Sequence, residues 1–245
     1  MGRFRKLRKY LSFSDAFNVY YKQKTRNLSN IRISKLKHPF SLRQNVHDYF
    51  TFHEVLLLDA YDIPLDYTPH SIIDGGGNIG LTAAFFATKY PEAKILTIEP
   101  DAENFALLKQ NTSAYKNIEG LNGAVWHRPA NLIIKDLGIG SNGFTVEEAS
   151  AEAENTIQAW SISDLMQKMS WTSCDLVKLD VEGSEKEIFS NNFESWLPKT
   201  KTLVIELHDR IKKDCSKTVF ASINQYNFSM RVAGENLVFR NEDLK

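Results

Sequence analysis

The chain has 245 residues, of which 42% are hydrophobic and 24% are charged, and its 30 Lys and Arg residues balance 30 Asp and Glu residues. This length predicts one α/β domain with an appendage rather than two enzymatic domains. The balanced charge argues against a dedicated nucleic-acid binder. The two cysteines form no metal-ligand or disulfide pattern, and no apolar run reaches the roughly 18 to 20 residues of a membrane span. We therefore expect a cytoplasmic protein without a transmembrane segment.

Positive charge is concentrated at the beginning of the chain. Residues 1–37 contain eleven Lys and Arg residues but a single acid, Asp15. Apolar residues from Phe4 to Tyr20 follow a roughly helical spacing, which predicts an amphipathic arm. We assign residues 1–66 to a basic helical N-terminal extension and residues 67–245 to the main domain. Residues 3–20 are compatible with peripheral contact with an anionic membrane or acidic partner, or with a helix packed on its own domain.

The rest of the chain alternates between short apolar strands and amphipathic helices. Strands are expected at 71–74, 94–99, 121–126, 175–181 and 202–207, and helices at 48–62, 81–90, 102–115, 163–169, 184–189 and 219–226. Residues 132–146 are expected to form short strands broken by glycines, and residues 228–240 a terminal hairpin. This alternation predicts a mostly parallel sheet covered by helices on both faces.

A glycine-rich segment, DGGGNIG at residues 74–80, lies between the first predicted strand and the next helix. Glycines in this position let a nucleotide-type cofactor approach the backbone. The segment satisfies the dinucleotide G-x-G-x-x-G spacing, and Glu99 follows at a distance suited to binding ribose hydroxyls, so spacing alone leaves both NAD and S-adenosylmethionine open. Asp74 favours S-adenosylmethionine, because an acid suits its α-amino group and would repel a pyrophosphate. Pro100 is expected to shape the wall beside the adenine.

Polar side chains follow the fourth and fifth predicted strands. Asp180 and Glu182, and then Glu206 and His208, are expected to face the same crevice as the glycine loop. Methyl transfer to an alcohol needs a base for the hydroxyl proton, and His208 is the best-poised candidate of the four at neutral pH. Capping of the following helix is the structural alternative for Glu182 and Glu185. Oxygen ligands from Asp180, Glu182 and Glu206 suit a divalent metal, although the spacing does not require one.

Taken together and in this order, the motifs resemble the FkbM family of S-adenosylmethionine-dependent methyltransferases over roughly residues 39–208. The family's pattern has an Arg followed by an Asp ahead of a helix, then D-x-G-x-N-x-G, E-P with a downstream Asn, K-x-D-x-E-G-x-E and E-x-H. The matching residues here are Arg43, Asp48, Asp74, Gly76, Asn78, Gly80, Glu99, Pro100, Asn104, Lys178, Asp180, Glu182, Gly183, Glu185, Glu206 and His208. Gly77 departs from the pattern, since the family more often has a small residue with a side chain there.

The resemblance implies an α/β fold of class I methyltransferase type, in which a Rossmann-like, doubly wound and mostly parallel sheet has seven strands. It also implies O-methyl transfer from S-adenosyl-L-methionine to a small-molecule or glycan acceptor, with a carbohydrate hydroxyl favoured. By this likeness, Asp74, Gly76, Asn78, Gly80, Glu99, Pro100, Asn104 and Asp180 would bind the cofactor, and Asp180, Glu182, Glu206 and His208 would be catalytic. An NAD-dependent oxidoreductase and a non-catalytic cofactor-binding protein are the alternatives.

Overall fold

The computed structural model describes residues 2–136, 144–150 and 153–244. Its α-helices are α1 (Arg3–Leu7), α2 (Phe13–Lys24), α3 (Val46–Phe52), α4 (Leu81–Lys89), α5 (Ala102–Thr112), α6 (Ile162–Lys168), α7 (Glu185–Ser190) and α8 (Cys215–Ile223). A π-helix, His53–Leu57, continues α3, and two 3₁₀ turns span Phe193–Ser195 and Leu197–Lys199. Its strands are β1 (Ser71–Gly75), β2 (Lys94–Glu99), β3 (Ile118–Asn122), β4 (Ala124–Val125), β5 (Ala130–Asp136), β6 (Phe144–Glu148), β7 (Ile157–Trp160), β8 (Cys174–Leu179), β9 (Thr200–Ile205), β10 (Phe228–Ala233) and β11 (Asn236–Asn241).

The central sheet has seven strands in the order β10-β11-β9-β8-β1-β2-β3. The strands from β9 to β3 pair in parallel, whereas β10 and β11 form an antiparallel hairpin on β9. This confirms the predicted doubly wound, mostly parallel sheet of class I methyltransferase type. Because parallel strands end at the same edge, the loops that follow β1, β2, β8 and β9 lie close together.

A second, smaller sheet has the order β4-β7-β5-β6. The prediction of one strand over residues 121–126 is wrong, because β3 ends in the central sheet and β4 pairs with β7 of the second sheet. Gly123 separates the two strands, and a Cβ there would lie 2.2 Å from the ring of Trp160. The other predicted elements are present with bounds shifted by a few residues. The expected breaks at Gly138, Gly140 and Gly143 lie outside the described residues.

The N-terminal extension packs against the main domain. Leu7 and Val19 are buried and belong to the same apolar cluster as Ile72 of β1. One face of α1 and α2 therefore packs on its own domain, while Phe13 and Phe17 stay exposed on another. Within the part of the chain that the structure describes, no helix is long and apolar enough to cross a bilayer. The division at residue 66 stays a prediction.

Candidate active site

A cleft with about 850 Å³ of open space lies at the carboxyl edge of the central sheet. It is lined by Thr51, Glu54, Val55, Tyr61, Gly76, Asn78, Thr82, Ile98, Glu99, Pro100, Asn104, Ala124, Val125, Val146, Lys178, Asp180, Val181, Glu182 and Ser184. Seven of the predicted site residues are in this lining, namely Gly76, Asn78, Glu99, Pro100, Asn104, Asp180 and Glu182. The other four, Asp74, Gly80, Glu206 and His208, are not among the lining residues.

The glycine loop brings bare backbone to the cleft. Gly76 has φ +77°, and a Cβ on it would lie 1.8 Å from the carbonyl oxygen of Asp180. A Cβ on Gly77 would lie 2.1 Å from Thr97 Oγ1, which leaves no room for the side chain that the family more often has there. The N–H groups of both glycines donate to Ile98 O, at 3.0 and 2.8 Å. The loop is thus fixed close to β2 and β8, because neither position leaves room for a Cβ.

Asp74 lies beneath this loop rather than facing the cleft. It is fully buried, accepts a hydrogen bond from Thr97 Oγ1 at 2.9 Å, and lies 3.2 Å from Lys178 Nζ. Lys178 donates in turn to two loop carbonyls, including Gly76 O at 2.7 Å. Burial lowers the pKa of Lys178, but the carboxylates of Asp74 and Asp180 outweigh this effect and raise it. Asp74 therefore pairs with the charged Lys178, which fixes the loop. This placement differs from the direct contact with the cofactor that we inferred for Asp74 from the sequence.

Glu99 ends β2 with its side chain at the cleft. Only 6% of the residue is exposed, and its carboxylate accepts hydrogen bonds from the backbone N–H groups of Asn78 at 2.8 Å and Asp101 at 3.0 Å. Burial raises the pKa of Glu99 to about 7, against the opposing effect of those hydrogen bonds. A carboxylate has about four acceptor sites, so capacity remains for hydroxyl groups of a ligand.

Arg43 and Asp48 connect the extension to this acid. The Arg43 guanidinium donates to buried Asp48 at 2.7 Å and to Asn104 Oδ1 at 2.6 Å. Asn104 Nδ2 lies 3.4 Å from Glu99 Oε1. Arg43 and Asp48, the Arg and Asp of the family pattern, thus support Glu99 through Asn104. Neither of the two is among the residues that line the cleft.

A buried imidazole and four carboxylates form what we call the acid cluster: Asp180, Glu182, Glu185, Glu206 and His208. His208 is 1% exposed, and its Nδ1 lies 2.8 Å from Glu185 Oε1. Its Nε2 lies 3.3 Å from Glu206, 3.4 Å from Glu182 and 3.6 Å from Asp180. The structure therefore brings the four predicted catalytic residues together around one ring nitrogen.

The charge states of this cluster differ from the sequence-based expectation. Burial lowers the pKa of His208, but hydrogen bonds to Glu185 and Glu206 outweigh it and raise the pKa to about 11. With this pKa the imidazole is protonated at neutral pH, which does not favour the sequence-based assignment of His208 as the base. Burial raises the pKa of Glu182 to about 8, although the nearby His208 charge opposes the shift. A buried oxygen of Glu182, Oε2, has no hydrogen-bond partner among the described residues.

Among the lining residues that were not predicted as site residues, Glu54 and Tyr61 lie close to Asp180. Glu54 comes from the π-helix, a rare structure that often marks functional sites. Burial and the charge of Asp180 raise the pKa of Glu54 to about 7. The hydroxyl of Tyr61 lies 3.4 Å from Asp180 Oδ2. In the sequence, Glu54 directly precedes the apolar run at residues 55–58. An acid beside such a run is the signal that could have identified Glu54 as a site residue.

Asp180, Glu182 and His208 each offer an atom within 4.8 Å of the others, a grouping that could hold a divalent cation. The sequence-based set had Glu206 in place of His208. Because its pKa is raised, His208 also carries positive charge at this point. A divalent metal stays optional.

The model of the FkbM methyltransferase domain matches residues 74–233. Methyltransferase 1 of Beauveria bassiana is 24% identical over 183 residues, which cover 65% of this chain and 73% of that protein. The hexuronic acid methyltransferase AglP of Haloferax volcanii is 27% identical over 146 residues, 59% of each chain. A crystal structure of methyltransferase FkbM from Methylobacillus flagellatus KT aligns with 97% of this chain and 58% of its own length, at 14% identity and a TM-score of 0.47.

Proposed function

The chain belongs to the FkbM methyltransferase family, a family of S-adenosylmethionine-dependent enzymes, and we propose that it methylates a hydroxyl oxygen of a sugar or glycan. One observation carries the proposal: a single cleft is lined by Gly76 and Glu99, which we call its cofactor side, and by Asp180 and Glu182, which we call its acceptor side. A group that binds a nucleoside and a group that accepts a proton therefore face the same space.

The first side of the cleft fits S-adenosylmethionine. Gly76 lets the loop pack directly against the backbone of Asp180, and the Glu99 carboxylate can accept both ribose hydroxyls. Pro100, Ile98 and Val125 supply apolar wall for an adenine ring. The N–H groups of Gly76 and Gly77 donate to Ile98 O and that of Asn78 donates to Glu99, so these three donors are not free to bind a pyrophosphate.

The bound cofactor supplies an electrophilic methyl group on a sulfonium. The chain's own task is then to hold the acceptor hydroxyl in line with that methyl group and to remove its proton. We assign the proton-accepting role to Glu182, because it lines the cleft and because its pKa of about 8 lies near the working pH. Asp180 lies beside it, 3.9 Å from Lys178 Nζ, and is placed to orient the acceptor.

His208 acts behind this pair. Its protonated ring lies between the carboxylates of Glu182, Asp180 and Glu206 and reduces their mutual repulsion. Glu185 fixes the ring orientation through Nδ1. We therefore propose that His208, Glu185 and Glu206 are positioning residues for the two carboxylates that reach the cleft.

A sugar acceptor is supported by the relative AglP, which is named as a hexuronic acid methyltransferase. The acceptor side of the cleft is also rich in hydrogen-bonding groups, with Glu54, Tyr61, Asp180 and Glu182 in one wall. Such groups can bind several hydroxyls of one sugar ring.

The cofactor part is tested by calorimetric titration with S-adenosylhomocysteine, with NAD as comparator. We expect saturable binding of S-adenosylhomocysteine that is weakened in Glu99→Ala and unchanged in Glu187→Gln, whose carboxylate pairs with Lys212 outside the cluster. Preferential binding of NAD would contradict the proposal and favour an oxidoreductase.

The acceptor part is tested by incubation with isotopically labelled S-adenosylmethionine and a panel of neutral and uronic-acid glycans, with the products analysed by mass spectrometry. We expect one methyl group on an acceptor oxygen, and no product with Glu182→Gln. Cofactor binding without transfer to any member of the panel would instead support a non-catalytic cofactor-binding protein.

A further inference from the structure

A groove with about 1520 Å³ of open space lies on the N-terminal extension, between α1 and the segment formed by α3 and the π-helix. Basic and apolar side chains line it together. We define the basic aromatic surface as Arg3, Lys6, Tyr10, Arg26, Val46 and Phe50.

The apolar members of this surface are exposed although apolar core lies directly beneath them. Val46 and Phe50 are each 56% exposed and Tyr10 is 41% exposed, whereas Leu7 and Leu57 at the base of the groove are buried. Single exposed apolar residues are common, but several that line one groove mark an interaction site. The surface therefore has apolar area that the fold itself does not use.

The charge of the surface is of one sign. Arg3, Lys6 and Arg26 line the groove, and none of its lining residues that the structure describes is acidic. The chain as a whole has a net charge of zero, so this positive charge is local. Basic residues beside exposed aromatic residues are the combination that binds interfaces of anionic lipids.

We propose that the basic aromatic surface docks the protein on an anionic lipid bilayer. Tyr10, Val46 and Phe50 enter the headgroup region, while Arg3 and Lys6 pair with lipid phosphates. The surface is fixed rather than flexible, because Leu7 and Val19 anchor α1 and α2 in the core.

The position of this surface has a consequence for the acceptor. The segment that presents Val46 and Phe50 on one side contributes Thr51, Glu54 and Val55 to the cleft on its other side. Docking would therefore hold the cleft beside the bilayer, where a lipid-carried sugar is presented. Only the presentation of a lipid-carried sugar to the cleft rests on the proposed function, whereas the docking on the bilayer does not.

The test is cosedimentation of the full chain with vesicles of phosphatidylcholine, alone or mixed with phosphatidylglycerol. We expect binding to the mixed vesicles only, and release near 1 M salt, where the Debye length falls to about 3 Å. Binding is measured without cofactor or acceptor, so its failure is distinct from a failure of methyl transfer.

Two double variants locate the contact. The double variant Arg3→Gln with Lys6→Gln should weaken binding about 25-fold, because each lost charge weakens binding about fivefold and the two factors multiply. Val46→Ser with Phe50→Ser should weaken it at least about tenfold. The matched control is Met230→Ser with Val232→Ser, which removes apolar residues that are 50% and 65% exposed on β10. That control should bind like the unaltered protein, and circular dichroism confirms that each variant is folded.

Equal binding to neutral and anionic vesicles would overturn the proposal, as would unchanged binding of both double variants. Absence of vesicle binding together with a dimer in light scattering that the same variants dissociate would also overturn it, and would assign the surface to a second copy of the chain.

Discussion

The two sides of the cleft are built in different ways. The cofactor side, Gly76 to Asn78 with Glu99, consists of backbone in fixed conformations and a carboxylate held by neighbouring N–H groups. The acid cluster consists of side chains from the β8 loop, α7 and the segment after β9, and in it the pKa values of Glu182 and His208 are raised well above their ordinary ranges. The comparison suggests that the first side serves binding and the second serves chemistry, so perturbations of each should have separable effects.

The largest separation is expected from Glu182→Gln. Removing a general base typically costs about 10²- to 10⁴-fold in rate, so turnover should fall by at least 100-fold. Binding of S-adenosylhomocysteine should change less than about twofold, because among the described residues Glu182 pairs with His208 rather than with the glycine loop or Glu99. Single-turnover transfer assays and calorimetry measure the two effects, with Glu187→Gln as the carboxamide control. Equal losses of binding and turnover would contradict the division into two sides.

Lys178→Met should affect both sides, because Lys178 Nζ contacts Asp74 at 3.2 Å and the loop carbonyls, and lies 3.9 Å from Asp180. Loss of one partner of a buried ion pair costs about 3 to 5 kcal/mol. We expect a loss of that order in the free energy of unfolding by urea, together with weaker cofactor binding. The double variant Lys178→Met with Asp74→Asn should recover part of the stability, since it removes the unpaired charge. If Lys178→Met lowered the free energy of unfolding by less than about 1 kcal/mol, buried Asp74 would not need Lys178 as its partner.

Gly76→Ala should disturb the loop of the cofactor side directly, and its Cβ also presses on the backbone of Asp180. Its Cβ would lie 1.8 Å from Asp180 O, so the loop must move and binding of S-adenosylhomocysteine should weaken by more than about tenfold. Gly234→Ala is the matched control, because Gly234 also has positive φ but a Cβ there meets nothing within 4 Å. The control should cost only about 1 to 2 kcal/mol of stability and leave binding unchanged. Equal binding by both variants would show that cofactor binding does not depend on the conformation of the loop at Gly76.

The smallest effect should come from pH. The carboxyl of Glu99 has its pKa raised to about 7, and only its charged form accepts both ribose hydroxyls. Affinity for S-adenosylhomocysteine should therefore fall as pH falls through 7, by about tenfold from pH 8 to pH 6. Glu99→Gln should bind more weakly with a flatter profile. A profile that rises toward low pH, or one that Glu99→Gln leaves unchanged, would contradict the role of Glu99.

Much of the cofactor side could be predicted from the sequence, because its conformations are local. Glycines at positions of positive φ, and an acid at the end of the next strand, are required by the backbone path itself. The alternation of strands and helices likewise predicted the central sheet. The bounds of β3 and β4 could not be predicted, because the choice between two sheets depends on distant partners such as β7.

The acid cluster was predicted as a set of residues but not as an electrostatic arrangement. A sequence places Glu185 and His208 far apart, and only the fold puts them 2.8 Å from each other inside the protein. That proximity raises the pKa of His208, and it supports our proposal that a carboxylate accepts the proton. The sequence determined the family, the sheet and the residue types at its edge. The tertiary structure decided their charge states and the face of the extension left exposed, because burial and long-range contacts set both.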